Sequence, residues 1–248
     1  MEAHRFSCLL PVLGHMVDPR GRLYPHRLHD WLQEVGYRAS ADRGFDMRWY
    51  RTHRRGWLMR RVEVSVRRWP ESGQWLQAET WVCAFGGTRS ERVYRFRDAE
   101  SAEPLLDALV EWVFFDLQRQ RPVEIPDAFA ASFGMPGPHP ELSPLPIQDG
   151  DVVDSAGLWQ VGYTDLDEHG HVNNARYVAW WTEHSRRLAL WDRVPDRWRV
   201  HFRRPAHEGE HLQAVYVSAP GPAGGRIWRW QMSASGRLCV EITAYWKE

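Results

Sequence analysis

The chain has 248 residues, 43% of them hydrophobic and 26% charged, and its 32 basic and 32 acidic side chains leave no formal net charge. That length holds one large domain or two small ones with a full core. The neutral balance removes the whole-molecule field that would draw nucleic acid, and no apolar run approaches the ~18 residues of a membrane span, so neither partner is expected. Three scattered cysteines without metal-ligand spacing argue against a disulfide frame. No charged-then-apolar leader opens the chain, so a cytoplasmic protein is expected. The 15 Trp imply wide apolar surfaces.

In chain order, a short strand is expected over Phe6–Leu10. A helix follows, with Leu28, Trp31, Leu32 and Val35 at helical spacing. An Arg-dense stretch from Arg51 to Arg61 comes next, then strands over Val62–Val66, Trp75–Cys83, Arg92–Arg97 and Val110–Leu117. Residues 122–150 hold seven of the sixteen prolines and read as a semi-rigid connector. A second strand (Leu158–Tyr163) leads to a second helix marked by Tyr177, Val178, Trp181, Leu188 and Trp191. Strands over Trp198–Phe202, Leu212–Val217, Ile227–Gln231 and Cys239–Tyr245 close the chain.

The two series are copies. At an offset of 149, Asp18, Gly21, Arg27, Trp31 and Glu34 fall on Asp167, Gly170, Arg176, Trp180 and Glu183. At an offset of 136, Arg67-Arg68, Gly73 and Leu76-Gln77-Ala78 fall on Arg203-Arg204, Gly209 and Leu212-Gln213-Ala214. Two ordered matches point to a duplication. The expected domains are 1–121 and 151–248, joined by 122–150. Each is α+β: one apolar helix wrapped by a four-strand antiparallel meander.

The second copy concentrates titratable groups in "YTDLDEHGHVNNARYVAWWTEH". Asn173 or Asn174 suits a helix N-cap, and Gly170 allows a turn closed to other residues. The unpaired amides of a helix start would stabilise negative charge developing on a carbonyl oxygen, and Asp167 just upstream could activate water or attack directly. His169 and His171 flank it. Capping and a surface loop explain the same residues without chemistry, so both readings stand at this point. Glu183 and His184 are expected on a solvated face. Zinc at His169, His171 and His184 lacks regular spacing and a Cys partner, so no metal is expected.

These residues carry a resemblance. "DLDEHGHVNN..Y" is similar to the signature of the hotdog-fold thioesterases, specifically the acyl–acyl carrier protein (acyl-ACP) thioesterases of plants and bacteria. In the first half "HDWLQEVGYRAS", "RRWPESGQWLQAETWV" and "LVEWVFFDLQRQRPVEIPD" resemble further segments of that family. The resemblance implies a double hotdog, with the first domain binding the acyl chain and the second catalytic. It implies hydrolysis of the thioester between a fatty acyl chain and the phosphopantetheine arm of acyl carrier protein, without a cofactor. The family's Asp falls on Asp167 and its His on His171. Two departures matter. His169 stands where the plant enzymes have Asn, and Pro205 and Ala206 stand where they have a Glu-Cys pair. Asp167 is therefore expected as base or nucleophile, with His171 and His169 positioning. Gly170, Asn173 and Asn174 would form the oxyanion end, with Glu208 or Glu210 as a possible auxiliary acid.

The first copy has Arg22 where the second has His171 and Pro25 where it has Asn174, so only the second helix end is expected to be catalytic. Because acyl carrier proteins are acidic, docking is expected at Arg51, Arg54, Arg55, Arg60 and Arg61. Phe45, Met47, Trp49, Trp57 and Trp112 are candidates to line the acyl pocket. An acyl-coenzyme A thioesterase of the same fold and a non-catalytic acyl-carrier-binding module are the alternatives. Either a monomer or a homodimer is compatible.

Overall fold

The computed structural model describes residues 3–140, 142, 145, 150–188, 190, 195–221 and 225–246, the side chains of 156–158 apart. Trp191, expected in the second helix, lies outside the described residues. Two compact units form, Met1–Leu142 and Ser143–Glu248. Among the described residues no helix is long and apolar enough to cross a membrane.

The first unit runs β1 (Arg5–Pro11), α1 (Pro25–Ala41), α2 (Met47–His53), β2 (Arg55–Val66), β3 (Trp75–Gly86), β4 (Arg89–Asp98), β5 (Pro104–Asp116), β6 (Arg121–Pro122) and α3 (Asp127–Ser132). Its strands lie in the order β1-β3-β4-β5-β2, all antiparallel, with β6 on β5. The second unit runs β7 (Asp151–Gln160), α4 (Asn174–Arg187), β8 (Arg197–Phe202), β9 (His211–Pro220), β10 (Arg226–Ala234) and β11 (Arg237–Trp246). Its order, β7-β9-β10-β11-β8, is that of the first. Each unit is a hotdog, one long helix laid along an antiparallel sheet. The simple meander expected within each copy is corrected: β2 pairs with β5 and not with β3, and β8 pairs with β11 and not with β9.

Strand alternation selects the face that meets the helix. Leu76, Ala78, Thr80 and Val82 of β3 are buried, as are Leu212, Ala214 and Tyr216 at the matching places in β9. On α1 the buried positions Leu28, Trp31, Leu32, Val35 and Ala39 make one stripe, with Trp31 stacked on Phe96 of β4 at 6.2 Å. On α4 the stripe includes Ala175, Tyr177, Val178, Trp181 and Ser185, and Trp181 meets Trp198 at 6.2 Å and Trp246 at 6.3 Å. Removing each such aromatic from water contributes roughly 1.5–3 kcal/mol.

Residues past β6 belong to the first core. Phe129 and Phe133 are 3% exposed and pack with Tyr50, Val82 and Phe114, with Phe45, Trp49 and Trp57 against the cluster. The chain then crosses the face of the sheet away from α1. The Gly137 amide donates to the Val82 carbonyl (2.9 Å) and Trp81 Nε1 donates to the Pro138 carbonyl (2.9 Å). A Cβ at Gly137 would overlap the Trp81 ring, so glycine lets the backbone lie flat there.

His29 on α1 is fully buried, and burial, with His26 adding to it, pulls its imidazole down to about 3. An unfolded imidazole titrates near ~6.5. Below that pH the unfolded chain takes up a proton that the folded chain refuses. Stability present above pH ~6.5 is therefore lost as pH falls toward the folded value, by at most about 1.4 kcal/mol per pH unit. Thermal midpoints measured from pH 7 to pH 4 should show His29→Leu gaining on the native sequence as pH falls. A constant gap would contradict the depressed imidazole.

A candidate active site at the start of the second helix

Of the three acids in the turn before α4, Asp165 and Asp167 have contrasting surroundings. Asp165 is buried and committed: Oδ1 accepts from Arg176 Nε (2.8 Å) and Nη2 (2.7 Å), and Oδ2 accepts from the Gly162 amide (3.0 Å). Asp167 is half-buried, and its Oδ1 accepts from the amides of His169 (2.8 Å) and His171 (3.2 Å). Its own amide donates to the His171 carbonyl at 2.7 Å, closing the loop. Gly170 takes a φ of +74°, the left-handed conformation this closure requires. Among the described residues Asp167 Oδ2 makes no hydrogen bond, so half the carboxylate is available to a ligand or water.

The helix start is fixed to this turn. The Asn173 amide donates to the Asp165 carbonyl (2.8 Å), and Asn173 Oδ1 accepts from the Ala175 amide (2.9 Å). Asn173 is thus the N-cap, and Asn174 begins α4. The first-turn amides there carry the positive end of the helix dipole. The loop Arg203–Glu210 is tied on by Val172, whose amide donates to the buried Ala206 carbonyl at 2.9 Å.

His171 is half-buried. Burial pulls its imidazole below the ordinary histidine range; Asp167 opposes this while His207 and His169 add to it. Burial thus favours the neutral ring. It meets His207 edge to face at 5.0 Å. His207 was missed in the sequence; its signal was its place in "RRPAHEGE", beside the positions where the Glu-Cys pair is lacking. That loop also borders a cavity of about 170 Å³ lined by Arg204, Pro205, His207, Ala234, Arg237 and Cys239. Glu210 is bound within its own loop, accepting from the His207 amide (2.8 Å) with Arg237 at 3.8 Å. Glu208 is exposed, and makes no hydrogen bond or ion pair among the described residues. Burial raises the thiols of Cys8 and Cys239 and pushes Cys83 up to about 12, which disfavours a free thiolate as nucleophile.

The expectation for His184 is corrected. The ring is fully buried, because position 184 shares the sheet-facing side of α4 with Trp181 and Ser185. Trp230 Nε1 donates to its Nδ1 (3.0 Å), so its proton sits on Nε2 and is donated to Asp154 Oδ2 (2.8 Å). Glu183 is exposed, as expected.

The first copy builds the same turn. Asp18 Oδ1 accepts from the amides of Arg20 (2.9 Å) and Arg22 (3.0 Å), its amide donates to the Arg22 carbonyl (2.8 Å), and Gly21 has a φ of +80°. Here, however, the Arg22 side chain covers Oδ2 through Nε (3.1 Å) and Nη2 (2.8 Å). Burial works against ionisation of Asp18, but these hydrogen bonds and the guanidinium charge outweigh it and hold the carboxyl below its usual range. The carboxylate is locked to a cation. Asp18→Ala should lower thermal stability while changing kcat by less than about threefold, the size of an indirect effect. Steady-state kinetics on the folded variant check this, and a collapse of kcat would put the first turn in the reaction.

The arginine run divides. Arg51 and Arg54 are exposed at the end of α2, where Arg54 is a left-handed cap with φ 51°. Arg60 is half-buried. Arg55 is paired with Asp116 (3.0 Å), and Arg61 faces Glu91 (3.2 Å), Glu63 (3.6 Å) and Glu111 (3.6 Å). The pocket candidates divide too. Phe45, Trp49 and Trp57 share the cluster around Phe129. Trp112 lies against α1, its Cζ2 3.8 Å from where a Gly36 Cβ would stand. Met47, half-buried, opens α2, its amide donating to the Tyr37 hydroxyl at 3.2 Å.

Residues 5–133 match the family model of the acyl-ACP thioesterase N-terminal domain, and residues 151–248 that of the C-terminal domain. The chain is 28% identical over 180 residues to a chloroplastic palmitoyl-acyl carrier protein thioesterase of Cuphea hookeriana, covering 68% of this chain and 42% of that protein. It is 29% identical over 135 residues to a chloroplastic dodecanoyl-[acyl-carrier-protein] hydrolase of Umbellularia californica, covering 50% and 34%. The matches thus span less than half the length of these relatives. Among solved structures, a 12:0-ACP thioesterase from Umbellularia californica superposes with a TM-score of 0.81 at 20% identity, covering 98% of this chain and 94% of that one. An acyl-ACP thioesterase from Bacteroides thetaiotaomicron gives 0.80 at 16%, covering 98% of both. At such identities these two show a common fold.

Proposed function

The chain belongs to the acyl-ACP thioesterase family, and from that premise we propose that it hydrolyses the thioester of a fatty acyl chain carried on acyl carrier protein, releasing the free acid. The observation that carries the reading is the Asp167 carboxylate, with one oxygen fixed by two amides and the other open, beside the N-terminus of α4. In this reading the thioester carbonyl oxygen lies toward the first-turn amides, where charge developing on it is stabilised. Asp167 takes a proton from water as the water oxygen bonds to the carbonyl carbon, or attacks that carbon itself to give an acyl-Asp anhydride that water then hydrolyses, restoring the carboxylate. The C–S bond then breaks, and the departing thiolate takes up a proton. Neutral His171 orients water or substrate. A positively charged imidazole there would draw the carboxylate away from that task, so the lowered His171 value supports the assignment.

Purified protein should cleave an acyl chain from acyl carrier protein faster than the same chain from coenzyme A, with salt weakening the former more. Preference for coenzyme A would change the carrier and keep the chemistry. Binding of acylated carrier protein without turnover would replace hydrolysis by a binding role. Single turnover in ¹⁸O water tests the second role: label in Asp167 identifies attack by the carboxylate with water opening the anhydride at the Asp carbonyl, whereas water acting on the acyl carbon labels the released acid alone.

A further inference from the structure

The face of the first sheet away from α1 gathers three metal-binding side chains that linear spacing hid. Cys83 and Glu91 lie on neighbouring strands, and His139 arrives on the segment that folds back across them. One ligand atom from each falls within 4.8 Å of the others. Cys83 Sγ is 3.7 Å from His139 Nδ1, the nitrogen that would bind, while the 3.8 Å contact of Glu91 Oε2 is to the other ring nitrogen, Nε2, so Glu91 turns toward Nδ1 to share the ion. With Zn–S of about 2.3 Å and Zn–N of about 2.0–2.1 Å, a tetrahedral centre separates sulfur and nitrogen by roughly 3.6 Å. The observed sulfur–nitrogen separation needs almost no adjustment.

Local structure aims the ligands. The β3–β4 register shifts between Val82 and Ala84, which makes Cys83 the extra residue of a β-bulge, a device that re-aims a side chain. Its Sγ lies 3.4 Å from the Glu91 carbonyl. Glu91 stands directly across from Glu111 on β5, a like-charge pairing that needs a cation. Arg61 supplies one, its Nη2 3.2 Å from Glu91 Oε1 and 3.6 Å from Glu111 Oε2. That contact takes one Glu91 oxygen and leaves the other directed to His139, the outer support that metal-binding carboxylates commonly have. His139 is placed by the backbone bonds of Gly137 and Pro138 to Val82 and Trp81.

We propose that Cys83, Glu91 and His139 bind one zinc ion that clasps the 134–140 segment to the first sheet, with water completing the tetrahedron. Coordination replaces the thiol proton, which leaves to solvent as the S–Zn bond forms. The site is remote in sequence from the α4 turn, and its test is independent of turnover.

Chelator-treated full-length protein is titrated with Co²⁺ and then Zn²⁺ while the sulfur-to-cobalt charge-transfer absorption is followed. The expected result is one equivalent of cobalt with that absorption, displaced by zinc, and a thermal midpoint raised by zinc but not by magnesium. Cys83→Ser should abolish the absorption, Cys8→Ser should retain it, and His139→Ala should weaken binding. Arg61→Met should weaken it by about 10–100-fold, as loss of an outer-shell partner does. Cobalt uptake without sulfur absorption in the native protein overturns the proposal before any variant is made. An unchanged titration in Cys83→Ser or His139→Ala overturns it as well.

Discussion

Replacing Asp167 with Asn is expected to lower kcat by about 10²–10⁴-fold, the range of a lost general base, while the protein stays folded. The amide oxygen of Asn can still accept from the His169 and His171 amides, which Asp167 Oδ1 meets at 2.8 and 3.2 Å, so the turn keeps its shape. What disappears is the charge and basicity of the carboxylate beside the α4 amides. Asp167→Ala removes the turn's acceptor as well, and should add a loss of stability to the same loss of rate. Turnover by Asp167→Asn within a few-fold of the native protein would remove this residue from the chemistry. The comparison with Asp18, in an equivalent turn with its second oxygen locked by Arg22, separates turn geometry from a free carboxylate.

Phe129→Ala is the substitution expected to cost most in stability, about 3–5 kcal/mol for a buried aromatic removed from a packed site. The ring lies between Phe45 (4.1 Å), Phe133 (5.3 Å), Phe114 (5.7 Å) and Trp57 (5.8 Å). None of these can fill the gap without leaving its other contacts. The thermal midpoint of the first unit should fall by roughly 10 °C. Met135→Ala, six residues on and 59% exposed, should change stability by no more than about 0.5 kcal/mol. A loss at Phe129 as small as that expected at Met135 would mean that the segment after β6 adds nothing to the core.

The duplication was readable because it left residues in register, and the structure returns that register as matched hydrogen bonds at Asp18 and Asp167. Helical spacing found α1 and α4, and the Asx pattern narrowed the cap to Asn173 or Asn174, of which the structure takes Asn173. Strand order was not readable: β2 crosses to pair with β5, a choice made by tertiary packing and not by the residues of either strand. Proline content concealed the aromatic anchors Phe129 and Phe133, since composition reports chain stiffness and not which rings are buried. His184 was misplaced because a polar residue near a helix's last turn suits solvent equally well; its hydrogen bonds with Asp154 and Trp230 make burial tolerable. The pairing of His171 with His207 depends on a loop packing onto a turn, which no local pattern encodes.

Because the Phe129 and Phe133 rings close the first core and Gly137 lies flat on Trp81, synthesis on the ribosome imposes an order. The strands through Arg121 can emerge and pair, yet the first unit stays open along one side until the next turns of chain follow. At translation rates of ~5–20 residues per second, the 18 residues from 121 to 139 add about 1–4 s. During that interval Trp49, Trp57 and Phe114 lack their covering rings and stand accessible to chaperones. A stalling sequence placed just after 121 should therefore leave a nascent chain sensitive to protease, and one placed well beyond 140 should leave it resistant.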